Sequence, residues 1–316
     1  MSFLTKRVVS FILAVILTAS LTVSLFGLTA VFIIRDKNNT VSALSAYSDE
    51  LKKDLDSAVS DSMPSDKLPA EAFTQALDKA AIEDIISNSA TNIVYQNNND
   101  FSLSKTLYAT IYNNLKSYAK TNEIKISDSD VSKLASLEVD VISGFMSDVK
   151  TTDLWLYGTV RNKTAMLIIA VSIVAAISSF VLLHFVNDGR HRKNSYYGMA
   201  FASAGYIEIF GTLMAKLLNV PELKANCGYL VFDKAAADVT ERIMNAQIPF
   251  GGALIFIGII VLALNYRYFA KKNSKVSAQR EENHKLRDEY MKHFENKNSP
   301  AQEQTLGERE TMDVDF

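Results

Sequence analysis

The chain is short of the residues on which most chemistry depends. Cys227 is the only cysteine in 316 residues, so no intramolecular disulfide can form and a cysteine-based zinc site is excluded. The four histidines are His184, His191, His284 and His293, and no two of them have metal-ligand spacing. Between residues 38 and 160 the only prolines are Pro64 and Pro69, and the only glycines are Gly144 and Gly158. An all-β domain of that length needs many more turn residues. The same stretch has no arginine, histidine or cysteine, which removes Ser–His and Cys–His nucleophilic pairs and the bidentate guanidinium clamp for phosphate or carboxylate. Its 10 lysines face 18 acids, a net charge of −8, and an acidic surface repels nucleic acid. The expectation is a protein with no cofactor and no metal, and not an enzyme.

Long apolar runs are abundant instead. A membrane-crossing helix needs about 20 mainly apolar residues, because the hydrocarbon core is roughly 30 Å thick. Residues 8–34 contain no charge and are flanked by Lys6-Arg7 and Arg35-Asp36-Lys37. A signal-peptide core is shorter, about 7–15 residues, so this run reads as a retained anchor, with Gly27 to Ala30 leaving cleavage open as the alternative. Residues 165–186 and 248–266 form two further spans, with Pro249 expected in the first turn of the latter, where its missing N–H is harmless.

Residues 197–218 are apolar apart from Glu208 and Lys216, and charge asymmetry makes them a fourth crossing. Cytoplasmic segments carry the excess of Lys and Arg. The two most basic short stretches are Arg190-His191-Arg192-Lys193, and Arg267 with Lys271, Lys272, Lys275 and Arg280. If both face the cytosol, an even number of crossings separates them. The resulting topology has both termini inside, residues 38–160 and 219–247 outside, and a basic loop inside.

Residues 38–160 show helical periodicity. Leu107, Ile111, Leu115 and Tyr118 share one helix face, and Val131, Leu134, Val141 and Phe145 another. Ser127-Asp128-Ser129-Asp130 offers an N-cap, with Asp where the capping box prefers Glu or Gln. Pro69 and Glu71 read as a first turn whose helix continues through Phe73, Leu77 and Ile85, and the first span is expected to extend outward through Leu44, Leu51 and Leu55. Breaks fall at Pro64-Ser65-Asp66, Asn97 to Asp100, and Thr121-Asn122. The expected fold class is all-α: four transmembrane helices, with an extracytoplasmic antiparallel four-helix-bundle-like domain between the first and second. That layout resembles, in arrangement, the ligand-sensing four-helix modules of bacterial chemoreceptors and sensor kinases. No family motif matches residue by residue.

The division expected along the chain is residues 1–37 (anchor), 38–160 (outer domain), 161–270 (remaining spans with the basic loop and the outer loop 219–247) and 271–316 (cytoplasmic tail). In the tail, Leu286, Tyr290 and Phe294 make a thin helical stripe over residues 279–297, and the end from Asn298 reads as disordered.

Glu208 is the candidate functional residue, because an ionised carboxylate inside a bilayer must be protonated, paired or set in a polar cavity. It serves either proton or cation coupling or a ligand contact, or it packs against hydroxyls such as Ser172, Ser178 or Ser179. Cys227 is a candidate reactive thiol that could cross-link two chains, against the alternative of an unreactive thiol near the membrane surface. The acidic pairs Glu83-Asp84 and Asp128/Asp130 read as solvated or capping groups, and a calcium loop from Asp128 fails because Lys133 stands where it needs glycine. Ala200/Ala204, Gly211/Ala215 and Gly251, Gly252 and Gly258 suit close helix packing, within one chain or between chains.

The partners implied are a lipid bilayer and a protein or second copy, met through the small-residue faces of the third and fourth spans or through the tail. The leading functional expectation is a bacterial plasma-membrane sensor, binding or scaffold protein acting through residues 38–160. A small transporter or channel subunit using Glu208 comes second, and a membrane-embedded enzyme third.

Overall fold

The computed structural model describes residues 3–95, 105–148, 163–187, 189–220 and 229–297. Ten helices are described: α1 Phe3–Arg35, α2 Lys37–Ser45, α3 Ser48–Ser62, α4 Ala70–Ala76, α5 Lys79–Tyr95, α6 Lys105–Thr121, α7 Asp128–Asp148, α8 Lys163–Val186, α9 Arg190–Leu217 and α10 Leu230–Lys297. There is no strand among the described residues. The protein is all-α.

Helices α1, α8, α9 and α10 are long and apolar enough to cross a membrane. Helix α8 is apolar all round, and Leu167, Val171, Val174 and Ile177 are each more than half exposed. A helix of that kind belongs in a protein core or a bilayer, and here the bilayer is the natural solvent. Helix α1 packs along both α8 and α9. Polar contacts fix the register: Asn187 Nδ2 donates to Ser10 Oγ at 2.8 Å, Thr18 Oγ1 to the Ala200 carbonyl at 3.4 Å, and Tyr197 Oη to the Phe180 carbonyl at 2.9 Å. Thus α1 runs parallel to α9, and both run antiparallel to α8.

The α9–α10 crossing is a seam of bare backbone. A Cβ added at Gly258 would stand 2.7 Å from the Gly198 carbonyl oxygen and the Ala202 nitrogen, and one at Gly251 would stand 2.8 Å from the Gly205 carbonyl oxygen. The small residues of the third and fourth spans therefore pack within one chain, through Gly198, Ala202 and Gly205 on α9. Gly211 and Gly252, which share the small-residue pattern, have open space around them.

Helices α2 to α7 form a polar-surfaced layer over one end of these helices. Six helices occur where four longer ones were expected, for local reasons. The helix of the first span stops at Arg35, because Asp36 turns extended and accepts from the Asn38 N–H at 3.0 Å, capping α2. A second break falls at Ala46 and Tyr47. The helix expected from Pro69 through Ile85 is interrupted at Leu77, and Asp78 caps a new one by accepting from the Ala81 N–H at 2.9 Å. A capping acid satisfies orphan amides that a continuous helix would not expose. The α6 end is a Schellman motif, with Ile124 N–H bonded to the Ala119 carbonyl, Glu123 N–H to the Lys120 carbonyl, and Glu123 left-handed at φ 57°. The expected Ser127 cap is present, since the Asp130 N–H donates to Ser127 Oγ at 3.1 Å while Ser127 Oγ bonds the Asp130 carboxylate at 2.8 Å.

The core of this layer contains Leu44, Leu51, Leu55, Phe73, Ile85, Leu107, Ile111 and Leu115. It also takes Ala30 and Ile34 from α1 and Val231, Phe232, Ala235, Ala236, Val239 and Ile243 from α10. Residues 230–243, expected within the outer loop 219–247, are therefore helical and contribute a buried face to this core. Polar contacts flank it: Tyr47 Oη bonds Asp238 at 3.2 Å, Lys234 bonds Glu50 at 3.0 Å, and Arg242 bonds Ser42 at 3.1 Å.

Pro249 lies well inside α10, not in a first turn. It leaves the Asn245 carbonyl without its helical donor, a defect of about 3 kcal/mol in an exposed helix. The seam at Gly251 and Gly258 holds the helix across that point. The basic segment Arg190–Lys193 is likewise the first turn of α9 and not a loop. Cations at a helix N-terminus oppose the macrodipole, so helix stability does not account for them.

Residues 262–297, a separate unit, are helical to Lys297. Lys285 and Glu281 form an exposed i,i+4 pair at 3.8 Å, and Leu286 and Tyr290 are exposed. Asn97 to Asp100 and the end from Asn298 lie outside the described residues.

Candidate functional site

The register of the apolar helices places Glu208 against one wall of a cavity. Tyr197 meets Phe180, and Lys193 Nζ lies 3.3 Å from His184 Nε2; the same antiparallel spacing sets Glu208 opposite Ile169. Both residues line a cavity of about 460 Å³ between α1, α8 and α9, with Met244 of α10 at its edge. From α1 come Thr22, Val23, Phe26 and Gly27, and from α9 Gly211, Thr212 and Ala215. Gly27 is needed here, because a Cβ would stand 2.5 Å from Ile169 Cγ1.

Glu208 is 4% exposed, and its Oε1 has no hydrogen-bond partner among the described residues. Its Cβ packs against Gly251, 3.1 Å from where a side chain there would begin. The carboxyl does not meet Ser172, Ser178 or Ser179, which lie about one to three turns further along α8. It sits about 12 Å along the axis from Lys216, whose ammonium is held by Glu241 at 3.3 Å and by the Asn245 side chain. The cavity therefore occupies the half of the apolar helices nearer α2 to α7.

Gln247, not singled out from the sequence, belongs to the same neighbourhood. The pairs Gly205–Gly251 and Lys216–Asn245 set Gln247 opposite Thr212, a cavity residue. It is 1% exposed, and neither its Nε2 nor its Oε1 has a partner among the described residues. A buried amide interrupting an apolar run was the available signal.

A second buried carboxyl lies among α2 to α7. Glu138 of α7 is 0% exposed, and neither of its oxygens has a partner among the described residues. The facing helix α3 supplies Lys52, but Lys52 is held by both oxygens of Asp56 at 2.9 Å and by the Thr74 carbonyl at 3.0 Å. Burial first, and then the Asp56 charge, push the Glu138 carboxyl up to about 9, against the weaker pull of Lys52. It is a neutral acid at pH 7.

The other acids take structural roles. Asp130 is bonded by Lys67 at 2.7 Å, which together with Ser127 holds its carboxyl below the usual range. Asp128 pairs with Lys116 at 2.9 Å, and Glu83 with Lys79 at 3.8 Å. No cluster of three metal-binding side chains occurs among the described residues. Cys227 lies outside them. Compared with known protein families, curated proteins and solved structures, the chain matches none.

Proposed function

We propose that this is a multi-pass protein of a bacterial plasma membrane, non-enzymatic, whose acidic helical layer α2 to α7 faces outward to bind or sense a partner. Both termini lie in the cytosol in this reading. The observation that carries it is the construction of α10. One unbroken helix holds core residues of the polar layer at Val231 to Ile243 and then the seam residues Gly251 and Gly258. A change in the packing of that layer has a rigid route into the apolar helices. Retention of α1 as an anchor is supported by Ala30 and Ile34 in the layer's core and by its packing on α8 and α9. Arg190, Arg192 and Lys193, unfavourable for their own helix, suit phosphate headgroups at the cytoplasmic face. Self-association would use the exposed Leu286 and Tyr290 stripe, because the glycine seam is occupied within the chain.

The buried, unpartnered Glu208 favours a second reading, a small transporter or channel subunit. The two separate by experiment. Chemical cross-linking of the intact protein in its native membrane is expected to attach a partner to α2 to α7. The transport reading instead expects flux that survives deletion of that layer and is abolished by Glu208→Gln. Sidedness is tested by reporter fusions after Lys193 and after Lys224. They are expected to report opposite sides of the membrane; the same side would remove the third crossing and the intramembrane setting of Glu208.

A further inference from the structure

We infer that the Glu208 cavity is a binding site for a lipophilic amine drawn from the bilayer. Its volume of about 460 Å³ falls within the roughly 300–1,000 Å³ of small-molecule sites. Its wall is apolar apart from the Thr22 and Thr212 hydroxyls and the Glu208 carboxyl. Thr22 Oγ1 already donates to the Thr18 carbonyl at 3.1 Å. Glu208 is thus the one charge-bearing group in the wall, and its Oε1 points to no donor among the described residues.

No cation for it is found among the described residues. Of these, no lysine, arginine or histidine lines the cavity. The basic group nearest along α9, Lys216, is bound to Glu241 and Asn245. Orphaned buried polar atoms are rare in folded proteins, and a bound ion is one of their regular explanations.

Access selects the rest of the ligand. Phe26, Ile168 and Ile207 of the wall are 40%, 53% and 46% exposed, on helices whose outer surface is lipid-facing. The occupant therefore arrives through lipid and must carry an apolar body. A plain acyl chain fills the volume but leaves the carboxyl unpaired. An alkylammonium fills it and neutralises the carboxylate in a place where an isolated charge is expensive. The site should therefore prefer an amine over the alcohol of the same chain length by at least tenfold.

The test uses the full-length protein in phosphatidylcholine nanodiscs, with radiolabelled dodecylamine and dodecanol as probes and empty nanodiscs to subtract partitioning. One saturable dodecylamine per chain is expected, held at least ten times more tightly than dodecanol. Glu208→Gln, close to isosteric, is expected to bind both probes equally. Gly211→Leu fills space that is open around Gly211 and is expected to exclude both; Ala215→Leu does the same from the next turn if that variant does not assemble. Equal binding of amine and alcohol by the wild type would reduce the cavity to a slot for lipid chains and overturn the proposal. Amine binding unchanged in Glu208→Gln, or in the assembled cavity-filling variant, would also overturn it.

Discussion

Glu138 and Glu208 are both buried carboxyls, yet only one was visible in the sequence. Glu208 interrupts an apolar run, where any acid stands out. Glu138 is one of 18 acids between residues 38 and 160, and an acid on an amphipathic helix ordinarily marks the wet face. The expected stripe of Val131, Leu134, Val141 and Phe145 was half right. Val131 and Leu134 are buried, but the buried line continues through Ala135, Glu138, Ile142 and Met146, leaving Val141 and Phe145 at its margin. Spacings of three and four lead straight through the acid, and only its charge argued against it. A consequence in pH follows. Below about 4.5 the folded and unfolded chains both hold the Glu138 proton. Between 4.5 and about 9 only the folded chain does, so stability falls as pH rises, by at most about 1.4 kcal/mol per unit. From pH 5.5 to pH 8 the loss is about 3 kcal/mol at most. Glu138→Gln, which mimics the neutral acid, is expected to flatten that slope and to melt higher than the wild type at pH 8. Thermal unfolding of the full-length protein at the two pH values checks it, and parallel slopes would show that Glu138 is ionised in the fold.

At the scale of the helix, propensity located the elements and misjudged their ends. Apolar runs and the 3.6-residue period located α1, α6, α7, α8 and α9, because these bury one consistent face or meet lipid on all sides. The breaks at Asp36 and Asp78 were missed, since an acid within an otherwise helical pattern can cap or simply be solvated, and tertiary packing chooses. Pro249 was misread for the opposite reason: a proline before an apolar run is the ordinary start of a helix, and here α10 passes through it. The α9–α10 seam gives a sharp contrast among glycines that look alike in sequence. Gly205→Ala places a Cβ on the Gly251 backbone, and forced separation of packed helices costs about 1–3 kcal/mol. Gly252→Ala meets nothing within 4 Å and should gain up to about 1 kcal/mol of helix propensity. Melting of the two variants in detergent is expected to shift in opposite directions; a common shift would place the seam elsewhere.

Across the whole molecule, four apolar helices were legible, whereas the composition of the core was not. Nothing local tells Val231, Phe232, Val239 and Ile243 which helices to join, because the contacts that flank them come from Ser42 of α2, Glu50 of α3 and Phe145 of α7, far away in sequence. Full burial of these four is worth roughly 1.5–3 kcal/mol each, together about 6–12 kcal/mol. That sum is comparable with the entire stability of a typical domain, about 5–15 kcal/mol. Residues 38–160 expressed alone are therefore expected to be helical but loosely packed. Joining residues 229–246 through a flexible linker is expected to restore cooperative unfolding. A fragment 38–160 that already melts cooperatively, unchanged by the addition, would show that α10 is not part of the core.

The hydrogen bond from Asn187 to Ser10 spans 177 residues, and so has a cost in time. During synthesis α1 is complete about 130 residues before α8 begins. At roughly 5–20 residues per second it waits on the order of 10 s in the membrane without the partners it will pack against. Over that interval the face bearing Ser10, Ser20, Ser24 and Thr29, buried in the finished protein, meets lipid instead. The polar side chains that align α1 in the final structure are thus a vulnerability at birth. Internal i−4 bonds to the Lys6 and Leu25 carbonyls keep Ser10 and Thr29 satisfied until α8 and α9 arrive, whereas Ser24 Oγ has no partner among the described residues.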